Sequence, residues 1–190
     1  MRLQPHHWGI LIATLLLVGA LLGYSLVKNG IFPVAFVNGD LIFLHNVQEN
    51  ARITRRLAAE NDRILEELAL AGEDFDTDEE LFVRALESSI INTVIRSRAP
   101  ESALEDARER VNMYLEQEDQ AALRSSIAEL YGWDIDTFKE RILLPQALDE
   151  LLAEEYGTDY ESWVNEELAR ARVHIFFVPF DWDGTGVMRD

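Results

Sequence analysis

The chain begins with one long hydrophobic run and continues as a series of shorter amphipathic segments. The run at 10–26, from Ile10 to Leu26, contains no charged side chain. At a helical rise of about 1.5 Å per residue, this run and its apolar flanks approach the roughly 30 Å hydrocarbon thickness of a bilayer. Trp8 and Tyr24 lie near its two ends, where aromatic rings prefer the membrane interface. The pattern predicts a membrane anchor.

A cleaved signal peptide is the alternative interpretation of the same run. Signal peptides usually have an apolar region of about 7–15 residues followed by a small-x-small cleavage site. The run here is longer, and residues 26–30 contain no such site, so we expect the anchor to be retained. Arg2, His6 and His7 precede the run and Lys28 alone follows it closely, which favours an N-terminus inside the plasma (inner) membrane and the remaining chain outside.

Short apolar runs predict a small sheet in the part that follows. The runs at 34–37 and 41–44 flank Asn38 and Gly39, and Asn-Gly favours a tight hairpin turn because both residues tolerate positive φ. The apolar and aromatic run at 173–178 predicts a further strand. Because an isolated hairpin is marginally stable, we expect this strand to pair with it.

Helix-start signals and helix breakers divide the region between these strands. Asn46 with Glu49, and Thr77 with Glu80, have the pattern of a capping box, in which the first side chain accepts a hydrogen bond from a free amide. Pro145 lies inside the fifth predicted helix and should kink or divide it. The six predicted helices run over about 47–71, 78–98, 100–118, 120–130, 135–155 and 160–172.

Composition adds strong acidity to this picture. The 190 residues are 48% hydrophobic and carry a formal net charge of −18. Because Arg2 and Lys28 precede position 29, 15 basic residues stand against 35 acidic ones in the remainder. We expect that part to repel nucleic acid and anionic lipid headgroups. Its charge either attracts basic polypeptide segments or keeps an exposed helical surface soluble.

The sequence offers no catalytic constellation. Zero cysteines exclude disulfides, thiolate catalysis and Cys-based zinc sites. The serine pairs at 88–89 and 125–126 lie inside predicted helices with no nucleophile elbow. The histidines have no metal-ligand spacing; they are His6, His7, His45 and His174. We expect no enzyme activity, no cofactor and no metal site.

Three segments resemble the SurA/PpiD-like family of envelope chaperones. Residues 35–42 (AFVNGDLI) are similar to its opening turn and strand, and residues 85–95 (ALESSIINTVI) to a central helix of its N-terminal domain. Residues 130–148 (LYGWDIDTFKERILLPQAL) are similar to the last helical segment before the isomerase module. Here residues 156–159 alone separate that helix from 161–175, which resembles the terminal helix and strand beyond the parvulin domain. The resemblance implies a chaperone module without the isomerase.

The resemblance implies a mainly α fold: a membrane helix, then a SurA N-domain-like multi-helix domain with a small sheet of the hairpin and the terminal strand. We divide the chain into a cytoplasmic stub and transmembrane anchor at 1–28 and a single chaperone domain at 29–178. The terminal helix and strand at 160–178 belong to that domain. Residues 179–190 form a tail, which we expect to be mobile.

The implied function is a membrane-anchored extracytoplasmic chaperone-like protein that binds unfolded or newly exported polypeptides without isomerase activity. The alternative is a non-catalytic envelope adaptor or structural protein with one dedicated partner. A chaperone needs apolar side chains accessible within a polar rim, although aromatic and aliphatic residues at helical spacing are more often core. The candidate client-binding residues are Phe82, Ile91, Tyr131, Trp133, Phe138 and Leu144. Client identity and oligomeric state stay open.

Overall fold

The computed structural model describes residues 32–60, 77–176 and 178–189, and within them the protein is mainly helical with a small antiparallel sheet. The predicted anchor at 10–26 lies outside the described residues, as does the end of the first predicted helix. Among the helices in these three segments, none combines the length and the apolar character needed to cross a bilayer.

The predicted hairpin is confirmed. Strands β1 (Pro33–Val37) and β2 (Asp40–Phe43) pair antiparallel. Asn38 and Gly39 connect them with φ of 53° and 120°, the positive values for which this residue pair is suited. The chain therefore reverses direction within two residues.

The chain's last predicted strand also pairs with this hairpin. Strand β3 (Val173–Ile175) lies antiparallel to β1, with Ala35 opposite Ile175, so the sheet order is β2-β1-β3. The strand is shorter than the predicted run at 173–178, although the Phe176 amide still donates to the Val34 carbonyl at 2.8 Å. Pairing of β1 with β3 brings the two ends of the domain together, as expected.

Seven α-helices occupy the described residues between these strands. They are α1 (Leu44–Glu60), α2 (Asp78–Arg98), α3 (Glu101–Gln117), α4 (Gln120–Leu130), α5 (Ile135–Phe138), α6 (Leu144–Tyr156) and α7 (Tyr160–Arg170). The predicted cap is confirmed at α2, where Thr77 Oγ1 accepts from the Glu80 amide at 3.3 Å. Helix α5 is capped by Asp134, whose Oδ1 accepts from the Thr137 amide at 2.7 Å. A short 3₁₀ turn, Gly157–Asp159, joins α6 to α7.

Pro145 divides the fifth predicted helix, as its position indicated. A π-helical turn, Lys139–Leu143, separates α5 from α6. The Leu144 amide donates to the carbonyl of Lys139, five residues earlier. Because proline has no amide hydrogen and its ring crowds the preceding turn, a regular α-helical ladder cannot continue through residue 145. The wider π-helical turn ends at Leu143, two residues before Pro145.

The capping box predicted at Asn46 and Glu49 is wrong. Helix α1 begins at Leu44, whose amide donates to the Phe32 carbonyl at 2.8 Å. Asn46 and Glu49 therefore lie inside the helix, where their side chains accept hydrogen bonds from Arg141 and Trp133 instead. Donors distant in the sequence therefore bind the side-chain oxygens that the capping box would have used.

Three groups of buried side chains hold the elements together. The first packs the sheet against α2, the second packs α3 against α6, and the third joins α1, α4 and α5. Their most buried members include Val34, Val37, Leu86, Ile90 and Val94 in the first, Ala107, Val111 and Leu152 in the second, and Ile127 and Trp133 in the third. Helix α2 carries buried residues along most of its length, so it is the central helix of the domain.

The mobile tail expected at 179–190 is not found. Strands β4 (Phe180–Trp182) and β5 (Val187–Arg189) form an antiparallel hairpin against α2. Phe180 is buried, with its ring 6.3 Å from that of Phe82. An aspartate side chain closes the turn: Asp183 Oδ1 accepts from the amides two and three residues on. Apolar packing and a local turn thus order this segment.

Candidate functional site

A cleft of about 700 Å³ opens between β2, α1, α2, α3 and the segment that runs from the π turn into α6. Its apolar lining comes from four of these elements and includes Ile42, Ile91, Ile95, Leu104, Leu144 and Leu148. Its polar lining includes Asn46, Asn50, Asn92, Thr93, Ser97 and Gln146. A cleft that combines apolar side chains with amide and hydroxyl groups has the lining expected of a binding site for organic ligands or polypeptide.

Strand β2 borders this cleft with its edge. Asp40, Leu41 and Ile42 are consecutive, and all three line it. Side chains of successive strand residues point to opposite faces of a sheet. A cleft on one face would therefore meet only alternate residues, whereas a cleft along the edge of the strand meets all three. Within the described residues, β1 is the one strand that pairs with β2. Leu41 is 48% exposed at this edge.

A polar network adjoins the cleft, which its members Asn46 and Arg141 line. Arg141 donates to Glu49 Oε2 and to Asn46 Oδ1, each at 2.6 Å, and Trp133 Nε1 donates to Glu49 Oε1 at 2.8 Å. The Arg141 guanidinium carbon lies 5.0 Å from the centre of the Trp133 ring, within cation–π range. The network joins α1 to Trp133, which precedes α5, and to the π turn.

The same network holds the pKa of Glu49 below its usual range. Partial burial is the largest single influence and raises that pKa, because a charged carboxylate is less well solvated there. The hydrogen bonds from Trp133 and Arg141, together with the positive charge of Arg141, lower the pKa and outweigh the burial. Glu49 is therefore an anion at neutral pH with its acceptor sites occupied by the protein itself.

Charge in the cleft is balanced, unlike the charge of the chain as a whole. Arg96 on α2 and Arg108 on α3 line the cleft, and neither forms an ion pair with any described residue. Arg141 lines the cleft as well, so three arginines are matched there by three acidic residues, Asp40, Glu140 and Asp149. Because the chain carries a net charge of −18, the three arginines make this cleft less negative than the chain as a whole.

The Tyr160 hydroxyl donates a hydrogen bond to the Asp149 carboxylate, which also lines the cleft. Burial raises the pKa of Tyr160 far above its usual value, and the bond to the Asp149 anion raises it further. The tyrosine therefore stays protonated and remains a donor at any physiological pH. Asp149 thus serves partly to connect α6 to α7.

The six candidate client-binding residues are divided between the cleft and the core. Ile91 and Leu144 line the cleft. Phe82 lies beneath the terminal hairpin, against Phe180. The remaining three form an aromatic stack in the core, with ring centres 5.4 Å apart for Tyr131 and Trp133 and 5.0 Å apart for Tyr131 and Phe138. Trp133 is buried, the other three of these residues are partly buried, and none of the four lines the cleft.

Sequence reasoning missed the two cleft arginines and the strand edge. A signal for the edge was present, because a sheet made of the predicted hairpin and one further strand must have two outer strands. The arginines carried no local signal: Arg96 and Arg108 lie in separate amphipathic helices, and their common position depends on how α2 packs beside α3.

A second hollow, of about 870 Å³, lies between α2 and the terminal hairpin. Its border is largely charged, with Glu79, Glu80 and Glu87 on the helix and Arg189 on β5. Glu79 and Arg189 already pair at 3.1 Å. Since its charges are partly paired and its apolar lining is smaller, we regard the cleft beside β2 as the candidate site.

Among the described residues, no group of three histidine or acidic side chains is arranged to hold a metal ion. The chain matches no family model, no curated protein and no solved structure.

Proposed function

We propose that this protein is a chaperone-like polypeptide-binding protein that receives unfolded or newly exported segments in the cleft beside β2 and has no isomerase activity. The observation that carries the proposal is the cleft itself, a space of about 700 Å³ lined by apolar, amide, hydroxyl and charged side chains and bordered by a strand edge. It is large enough for several side chains of an extended segment.

The similarity to the SurA/PpiD-like family agrees with this proposal. The similar segment at 130–148 supplies Arg141 and Trp133 to the network and Leu144 to the cleft. The similar segment at 35–42 supplies the strand edge. Both segments therefore border the same proposed binding site.

We further propose that residues 10–26 anchor the protein in the plasma membrane, with the N-terminus inside and the acidic domain outside the cytoplasm. The support is the uncharged length of the run and the position of Arg2 before it. In this arrangement the domain would meet polypeptides as they leave the membrane.

The proposal predicts that the full-length chain suppresses the aggregation of several unrelated denatured proteins. The chain would be placed in zwitterionic lipid nanodiscs and aggregation followed by light scattering, with empty nanodiscs as the baseline. Leu144→Asn should abolish most of the suppression, because it places an amide on the apolar lining. Leu130→Asn is the matched control, since Leu130 is exposed and lies outside the cleft.

Equal suppression by wild type and both variants would place client binding elsewhere on the protein. No suppression by a chain shown to be folded would contradict the chaperone proposal. That result would favour the adaptor alternative, whose test is a stable one-to-one complex with a single membrane protein.

A further inference from the structure

Strand β2 presents free backbone hydrogen-bonding groups to the cleft. Val37 and Asp40 flank the two-residue turn and face each other across the hairpin, and Leu41 is opposite Phe36 in the next pair. In an antiparallel ladder, directly opposed residues alternate between hydrogen-bonded and non-hydrogen-bonded pairs. The pair closing a two-residue turn is bonded, so the N–H and C=O of Leu41 point away from β1.

These groups select an extended backbone as their partner. An exposed strand edge binds another chain by adding it as a further strand, with main-chain bonds giving affinity and side-chain pockets giving specificity. Ile91, Leu104 and Leu144 line the space beside the edge. A segment paired with β2 would place every second side chain against this apolar surface.

Arg96 lies close to one end of that edge, and Arg108 lines the same cleft. Asn38 Nδ2, at the hairpin tip, donates to Ser97 Oγ at 3.0 Å, so the tip lies beside the end of α2 that carries Arg96. Arg108 reaches the same cleft from α3. Both arginines are exposed and form no ion pair with another described residue, so their guanidinium groups are available to a ligand.

We propose that the cleft binds an extended segment that carries an aspartate or glutamate side chain, added as a fourth strand to the edge of β2, with the carboxylate held by Arg96 and Arg108. The charge complementarity is specific, because the guanidinium fork matches a carboxylate in geometry as well as in sign. This inference rests on the proposed function and narrows its client class: the overall acidity favours basic clients at long range, whereas the cleft selects an acidic side chain.

Calorimetric titration of the full-length chain in nanodiscs tests the carboxylate. Three β-prone peptides with acetylated and amidated ends would differ at one central position, carrying Glu, Gln or Lys, so that a side chain supplies the only carboxylate. The Glu peptide should bind about tenfold more tightly than the Gln peptide, as expected for a charge-assisted pair. In the double variant Arg96→Gln/Arg108→Gln, that difference should disappear.

Equal binding of the Glu and Gln peptides to the wild type would overturn the carboxylate inference and leave the proposed function standing. Tighter binding of the Lys peptide would overturn it as well. If none of the three peptides bound, both this inference and the proposed polypeptide-binding function would fail. The double variant's far-ultraviolet circular dichroism would verify that the exposed arginines are not needed for folding.

Strand addition has its own test, which leaves the protein unchanged. A single N-methyl group moved along the Glu peptide removes one backbone donor at a time. Because only alternate residues of a strand face the partner strand, binding should weaken severalfold at every second position of the paired stretch. The same small effect at all positions would overturn strand addition.

Discussion

Asn38 performs two tasks at the hairpin tip, of which only the turn was visible in the sequence. Its φ of 53° is in the left-handed region. Its side chain also accepts from the Arg172 amide and donates to Ser97 Oγ, each at 3.0 Å. The residue therefore joins the hairpin to the end of α2 and to the chain entering β3. This connection helps to hold one end of the β2 edge in place beside the cleft.

Two substitutions at Asn38 separate these tasks. Asn38→Gly keeps the backbone conformation and loses the two side-chain hydrogen bonds, so it should lower the free energy of unfolding by about 1–2 kcal/mol. Asn38→Ala should cost about 1 kcal/mol more, because alanine disfavours left-handed φ. Urea unfolding followed by circular dichroism measures both. Equal losses in the two variants would show that the backbone conformation at residue 38 carries no strain.

The charge of Glu49 makes the free energy of unfolding depend on pH. Its folded-state pKa lies below its usual range, as described above, so its contribution is complete above the unfolded-state pKa and is lost as the pH falls through the folded-state value. Glu49→Gln keeps a hydrogen-bond acceptor for Trp133 and loses the charge that pairs with Arg141. At about pH 7 this variant should be less stable by roughly 1–2 kcal/mol.

The difference in unfolding free energy between wild type and Glu49→Gln should shrink as the pH is lowered from about 7 towards about 3, because protonation removes the same charge from the wild type. Urea titrations at several pH values measure that difference directly, and subtraction removes the contributions of the other acids. A difference that stayed constant over this range would contradict the assignment of the stabilisation to the Glu49 anion.

At the scale of elements, the terminal hairpin covers one side of the central helix. Phe180 is 8% exposed and contacts Phe82 on α2, whereas Met188 on the same hairpin is 53% exposed. Phe180→Ala should lower the free energy of unfolding by about 3 kcal/mol, through lost burial and the cavity left behind. Met188→Ala is the matched control and should change it by less than about 0.5 kcal/mol. Equal effects in chemical unfolding would mean that the hairpin does not pack on α2.

Element boundaries were predictable wherever the signal was local. Thr77 and Asp134 cap their helices through amides three residues away, and Pro145 divides a helix by its own covalent structure. The prediction failed where side chains had distant partners. Asn46 and Glu49 have capping-box spacing, yet their acceptors bind Arg141 and Trp133, more than 80 residues along the chain. A sequence pattern cannot show that a competing donor will arrive from another helix.

At the scale of the whole molecule, the site was less predictable than the fold. Tyr131, Trp133 and Phe138 were candidates because they are large and apolar, but their mutual stacking removes most of their surface from solvent. Ile91 and Leu144 line the cleft because the elements around them leave a space beside β2. Which face of an amphipathic helix stays uncovered depends on the relative packing of several elements, and hydrophobic periodicity alone does not contain that information.

Net charge and the open edge of β2 together predict how the molecule associates with itself. At neutral pH the charge of −18 keeps copies apart, and this repulsion vanishes near the isoelectric point of about 4.5. The unpaired edge of β2 in one copy can then pair with the same edge in another copy. Leu41→Lys should reduce light scattering near that pH severalfold, because lysine on an edge strand opposes pairing. Met113→Lys, at a similarly exposed position on α3, adds the same charge away from the edge and should reduce scattering much less; equal reductions by the two variants would assign the association to net charge alone.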